Sequence, residues 1–176
     1  VSTLVRANIG PNNGHKLNSE DKIFFNTSSS TDKTKKIQLD LNQNNEIRVM
    51  KGLQVDYFSK KSQEDFFSKE YEVTRLTDRM GMRLKGQKME NIINKNIKSE
   101  GITKGSIQIP GNGQPIIMMS DHQTTGGYTK IATVASVDYS KLSRLRPGTK
   151  ISFVSISQSE ASNLFRKQKQ MLRLGK

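Results

Sequence analysis

The chain has 176 residues, enough for one compact unit or two small ones with a core of ordinary proportions. It holds no cysteine, and His15 and His122 are its histidines, which excludes a disulfide framework, a thiolate metal site and a histidine-rich one; no metal is expected. The formal charge of +13 comes from cations scattered without a recognition-helix stripe, an aromatic stacking ladder or zinc-finger spacing, so it reads as a solvated basic surface rather than a specific nucleic-acid site.

In chain order, the opening VSTLVRANIG is not a charged segment leading into an apolar core, and no apolar run of membrane-spanning length follows. A soluble, cytoplasmic chain without membrane contact is expected. Residues 26–46, NTSSSTDKTKKIQLDLNQNNE, carry few large apolar groups and no sustained period, and so cannot offset the entropy of their own ordering. They read as a loop or linker, which places the packed domain at 47–176. EIRVMKG then alternates Ile47 and Val49 with Glu46 and Arg48, the pattern of a half-buried strand closed by Gly52. SQEDFFSKEY reads as a short helix with Ser62 as its cap. In YEVTRLTDRMGMRLKG, Arg75, Arg79 and Arg83 recur every four residues, yet Val73, Thr74, Thr77 and the interrupting Gly81 favour two strands meeting at a turn.

GSIQIP alternates again, with Ile107 and Ile109 on one face and Ser106 and Gln108 on the other. GNGQP is turn chemistry, IIMM fits a strand covered on both faces, and KIATVASV is a further strand. A Pro147-Gly148 turn leads into the last strand, KISFVSI. Ser157 and Glu160 form a capping box for a C-terminal helix, whose stripe of Ala161, Leu164, Phe165, Gln168, Met171 and Leu172 is expected to pack on the core. Many short strands with Gly and Pro turns, a short helix and a terminal one indicate a mainly-β barrel or sandwich.

Between IIMM and KIATV lies DHQTTGGYTK, residues 121–130, whose side chains gather at one rim of the sheet. Gly126 and Gly127 let backbone N–H groups approach a ligand, and Thr124 and Thr125 offer hydroxyls. Lys130 supplies a positive charge, and Asp121 could move a proton. The competing reading is a tight turn whose Asp and Thr satisfy their own backbone and whose Tyr128 caps a core.

YEVTRLTDRMGMRLKG, SEGITKGSIQIPGNGQPIIMMSDHQTTGGYTKIATV and LSRLRPGTKISF resemble, in order and spacing, successive blocks of the biotin-dependent carboxyltransferase-like family. That family includes allophanate hydrolase subunit 2, the C-type subunit of bacterial 5-oxoprolinase and the matching part of urea amidolyase. The resemblance runs from about Glu46 to Glu160 and implies a cyclophilin-like β-barrel; it does not imply prolyl isomerase activity. GHKLNSEDKIFF resembles the last block of the family's N-terminal half, so 1–46 is read as the tail of a truncated half plus the linker. Met82 stands where members usually have an aromatic residue, Thr129 replaces a proline, and Arg144 replaces a glutamine.

The resemblance further implies a subunit of an ATP-dependent amidohydrolase that opens 5-oxoproline to glutamate together with B-type and A-type subunits. ATP belongs to the assembled complex, since this chain has neither a nucleotide motif nor a biotin attachment site. The alternatives are a non-catalytic regulatory or binding module, an inactive remnant, or a urea or allophanate carboxyltransferase activity. For the small planar amide that such an enzyme takes, the candidate catalytic residues are Asp121 and Lys130. The candidate substrate-binding residues are Arg83, Gln108, Gln114, Gln123, Thr124, Thr125, Gly126, Gly127 and Tyr128. Asp121, Lys130, Gln108 and Gln114 are expected to share one concave surface. For Arg79 a salt bridge to Asp78 or Glu100 competes with a ligand role, for Gln108 and Gln114 a bond that closes the turn does, and Glu100 either enters the cleft or serves a turn that leads into a strand. His122 should face away from Asp121.

Overall fold

The computed structural model describes residues 7–24, 44–92 and 97–174, and its backbone forms two compact units, Val1–Thr34 and Lys35–Lys176. Most of the linker expected at 26–46 lies outside the described residues. Within the first unit, Asn12–Gly14 makes a 3-10 turn that ends on glycine because φ there is +74° and a Cβ would lie 2.1 Å from the Asn8 carbonyl carbon.

The second unit is the expected barrel. Its strands are β1 (Glu46–Lys51), β2 (Tyr71–Val73), β3 (Gly81–Lys85), β4 (Glu100–Gly101), β5 (Ser106–Ile109), β6 (Ile116–Met118), β7 (Thr125–Gly126), β8 (Thr129–Val134) and β9 (Lys150–Ser155), with helices α1 (Lys60–Ser68), α2 (Tyr139–Leu142) and α3 (Gln158–Leu174). Seven strands close in the order β1-β8-β5-β6-β3-β2-β9, and β4 and β7 form a separate two-stranded ribbon. Every barrel pairing is antiparallel except the closing one, where β9 runs parallel to β1. Closure pairs each barrel strand on both sides and removes exposed edges.

Alternation in β1 and β9 sends Ile47, Val49, Ile151 and Phe153 inward, and all four are buried. α1 brings Phe66 onto Phe153 with ring centroids 4.5 Å apart and 11° between planes, and Tyr71 leans on both. Each such buried aromatic or Ile contributes about 1.5–3 kcal/mol. The same burial, with Asp65 adding to it, pushes the Tyr71 phenol up to about 12.

Three expectations are corrected, and a fourth residue gains a partner the sequence did not show. The cap of α1 is Ser59, whose hydroxyl accepts from the Ser62 N–H at 3.2 Å, while Ser62 Oγ accepts from the Glu90 N–H at 2.9 Å. Ser106 and Gln108 are as buried as their isoleucine neighbours: the β4/β7 ribbon lies against Gln108, and Ser106 Oγ is hydrogen-bonded to Thr103 Oγ1 at 3.1 Å. Arg48 points out of the core as its position requires, yet it is fastened to Asp138, whose side chain is 1% exposed. Finally, the capping box of α3 forms, with the Glu160 N–H on Ser157 Oγ and the Ser157 N–H on Glu160 Oε2, but the stripe behind it is not core. Phe165, Met171 and Leu172 are 37%, 64% and 45% exposed, since α3 leaves the barrel against the turn at Ser136–Asp138 and runs on beyond it.

Candidate functional site

The polar run does more than turn between strands. Asp121 and His122 start it, Thr125 and Gly126 form β7, and β7 pairs antiparallel with β4 so that Gly126 lies opposite Glu100 and Thr125 opposite Gly101. The Ile102 N–H adds a bond to the Thr124 carbonyl at 2.9 Å. A side chain on Gly126 would meet Ile102 Cδ1 at 2.6 Å, Gln123 Nε2 at 2.9 Å and Gln108 Nε2 at 3.3 Å, so glycine lets the ribbon lie against β5 without displacing these side-chain ends. The run then enters β8, which carries Lys130.

Ribbon and barrel meet at a cleft of about 770 Å³. It is lined by the end of β1 and the turn to Gln54, by Glu100, Thr103 and Ser106, by Lys130 and Thr133, and by Ser155–Gln158. Three of these side chains converge. Lys130 Nζ and Gln54 Nε2 both donate to Glu100 Oε1, and Gln54 Oε1 accepts from the Lys130 backbone N–H at 2.7 Å. The close approach that makes this triangle starts at Gly52: its N–H bonds the Ile131 carbonyl at 2.8 Å, and a Cβ there would lie 2.5 Å from the Lys130 carbonyl oxygen. With the chain pressed so tightly on β8, Gln54 reaches back to Lys130.

The Lys130 ammonium, and then the Gln54 amide, hold the Glu100 carboxyl below the usual glutamate range. Among the described residues Glu100 Oε2 makes no bond within the protein, and Lys130 Nζ has Glu100 as its single partner. The Lys130 side chain is 17% exposed and that of Glu100 42%, so an ionised acceptor and a half-sheltered cation stand side by side at the cleft.

The other candidates lie elsewhere. Asp121 accepts from Arg79 Nε at 2.6 Å and from Arg79 Nη2 at 2.9 Å, which holds its carboxyl low and occupies both oxygens. Arg79 thus forms a turn-fixing ion pair with Asp121, in place of Asp78 or Glu100. Gln114 is spent on backbone: its Oε1 accepts from the Gly86 N–H at 2.8 Å and its Nε2 donates to the Gly86 carbonyl at 3.2 Å. Gln108 is buried and donates to the Tyr128 carbonyl at 3.5 Å. Arg83 is exposed on β3, Tyr128 is 43% exposed, and Gln123 gives its carbonyl to His122 Nδ1 at 2.7 Å. Of the four residues expected on one concave surface, Lys130 alone lines this cleft. Gln54 carried no signal in the sequence, because its partners Glu100 and Lys130 lie 46 and 76 residues away. Among the described residues no group of three or more His, Asp or Glu is placed to hold a metal ion, and no helix is long and apolar enough to cross a membrane.

Residues 1–155 match the family described as carboxyltransferase domain, subdomain A and B. The chain is 33% identical over 160 residues to the C-type subunit of 5-oxoprolinase from Escherichia coli, covering 91% of this chain and 52% of that one. It is 41% identical over 121 residues to the corresponding 5-oxoprolinase chain of Haemophilus influenzae, covering 69% and 39%. Among solved structures, the Kluyveromyces lactis urea amidolyase superposes with a TM-score of 0.74 at 26% identity over 80% of this chain and 9% of that one. The chain thus spans about half the length, or less, of the curated relatives it matches.

Proposed function

The chain belongs to the carboxyltransferase-domain family, and from that premise we propose that it works as the C-type subunit of an ATP-dependent amidohydrolase. Together with B-type and A-type subunits, that enzyme opens 5-oxoproline to glutamate. The observation that carries this reading is the identity to the C-type chains of two bacterial 5-oxoprolinases, which covers most of the barrel. In that reaction the lactam C–N bond breaks and water supplies the new carboxylate oxygen, while ATP, bound elsewhere in the complex, drives the step. What this chain offers is a place to bind and orient the amide: a cleft with a carboxylate and an ammonium in contact, backed by hydroxyls on Thr103, Ser106 and Thr133. A compact amide needs an acceptor for its N–H and a donor for its oxygen, and the Glu100/Lys130 pair supplies both.

The test is co-expression with the B-type and A-type subunits of the same genome, followed by an assay of glutamate release from 5-oxoproline. Release is expected to need all three chains and ATP. An assembled complex that releases none, under conditions where a bacterial 5-oxoprolinase does, rejects the proposal.

A further inference from the structure

We propose that Glu100 Oε2 and Lys130 Nζ together read the cis edge of a cyclic amide, N–H to the carboxylate and C=O to the ammonium, and that Gln54 is the positioning residue that aims Glu100. This rests on the reading above and goes further, because it selects among amides.

Geometry carries the inference. Glu100 uses Oε1 for both of its protein partners, which leaves Oε2 to accept, and Lys130 spends one of three N–H donors on Glu100. An acceptor and a donor in contact match a ligand whose own donor and acceptor lie on the same edge. A lactam or cyclic ureide has that edge, since the ring forces the amide cis. An open-chain secondary amide is trans, with N–H and C=O on opposite sides, and the cost of turning it cis is several kcal/mol. Such an amide bonds one of the two groups and leaves the other without a ligand bond.

Gln54 makes the arrangement directional. Its Nε2 donates to Oε1, and its own Oε1 is pinned by the Lys130 N–H at 2.7 Å, so the amide cannot flip without losing both bonds. Glu100 Oε1 is therefore held in place, and Oε2 is the oxygen left to a ligand. The charged groups around the cleft are Lys51 from β1, Lys130 from β8 and Glu100 itself; Lys51 extends its ammonium over the Phe67 ring, 5.8 Å from the centroid. Among the described residues, Glu100 is thus the one carboxylate on the cleft wall.

The experiment is carbon-detected NMR of the Glu100 carboxyl in the full chain, titrated with pyrrolidinone (cis N–H), N-methylpyrrolidinone (no N–H) and N-methylacetamide (trans). Pyrrolidinone is expected to give a saturable shift at Glu100 and Lys130, with the other two at least about tenfold weaker. In Glu100→Gln the pyrrolidinone affinity should fall by about tenfold to a hundredfold, as for loss of a charge-assisted bond. In Gln54→Leu the fold stays, affinity falls several-fold, and the Glu100 titration midpoint moves up toward the ordinary glutamate value. A purely structural Gln54 would leave that midpoint in place. Equal binding of the three probes, no saturable binding, or an unchanged Glu100→Gln overturns the inference. A complex that turns over 5-oxoproline as well with Glu100→Gln as without it would sink this inference and spare the proposed function. Selective binding without any turnover would do the reverse.

Discussion

Replacing Asp138 with Ala removes the acceptor of three Arg48 donors: the backbone N–H at 2.8 Å, Nε at 3.0 Å and Nη2 at 2.5 Å. The carboxylate is 1% exposed and the guanidinium 34%. Breaking a buried ion pair from one side costs about 3–5 kcal/mol, because the remaining charge stays out of water without compensation. Arg48 keeps enough exposure to recover part of its hydration, so the lower end applies, about 3 kcal/mol. With an m-value of about 2 kcal/mol/M, the urea midpoint should drop by about 1.5 M. The pair fastens β1 to the turn after β8, which makes the loss global rather than local. A double variant, Arg48→Met with Asp138→Ala, removes both charges and should be more stable than Asp138→Ala alone. Urea unfolding followed by far-UV circular dichroism compares both variants with the unaltered chain. A loss under about 1 kcal/mol for Asp138→Ala, or a double variant no more stable than Asp138→Ala, would refute this reasoning.

Tyr71 should give an alkaline limb: its phenol is raised from 10.0 to about 12 by burial, so the stability it contributes is complete below pH 10 and is lost as pH rises through 12. Tyr71→Phe should abolish that limb in chemical unfolding, and a limb that persists would point to another group. Gly52→Ala places a methyl 2.5 Å from a backbone oxygen and should cost about 2–3 kcal/mol, whereas Gly126→Ala meets the ends of Ile102 and Gln123, which can swing away, and should cost about 1 kcal/mol. Thermal melts that rank the two in the opposite order would contradict the account of the close approach.

Local signals made the barrel legible where the solvent sits on one side. β1 and β9 alternate, and their inward residues are those the period selects. β5 did not follow, because alternation assigns Gln108 to solvent and has no way to represent a two-residue ribbon lying over it. β4 and β7 are too short to leave a period at all. The α3 stripe shows the converse: a 3.6-residue pattern tells which face is apolar, and says nothing of whether anything covers it. At the candidate cleft, the polar run contributes Lys130, and Gly126 lets the ribbon beside it lie against β5. The pairing of the run's acid was not legible, since the partner of Asp121 is Arg79, 42 residues earlier. Glu100 was visible as a carboxylate at the start of a strand. Gln54 and Asp138 were not visible, because hydrogen bonds across 76 and 90 residues have no local correlate.

The most direct test of the central claim is the rate of ATP-dependent glutamate release by the assembled complex when this chain carries Glu100→Gln. The account predicts that the complex forms with unchanged stoichiometry and that kcat/KM for 5-oxoproline falls by about a hundredfold, the expected effect of losing the group that orients the reacting amide. A complex with Glu100→Gln that releases glutamate at the unaltered rate would contradict the role given to Glu100 and leave the subunit assignment standing.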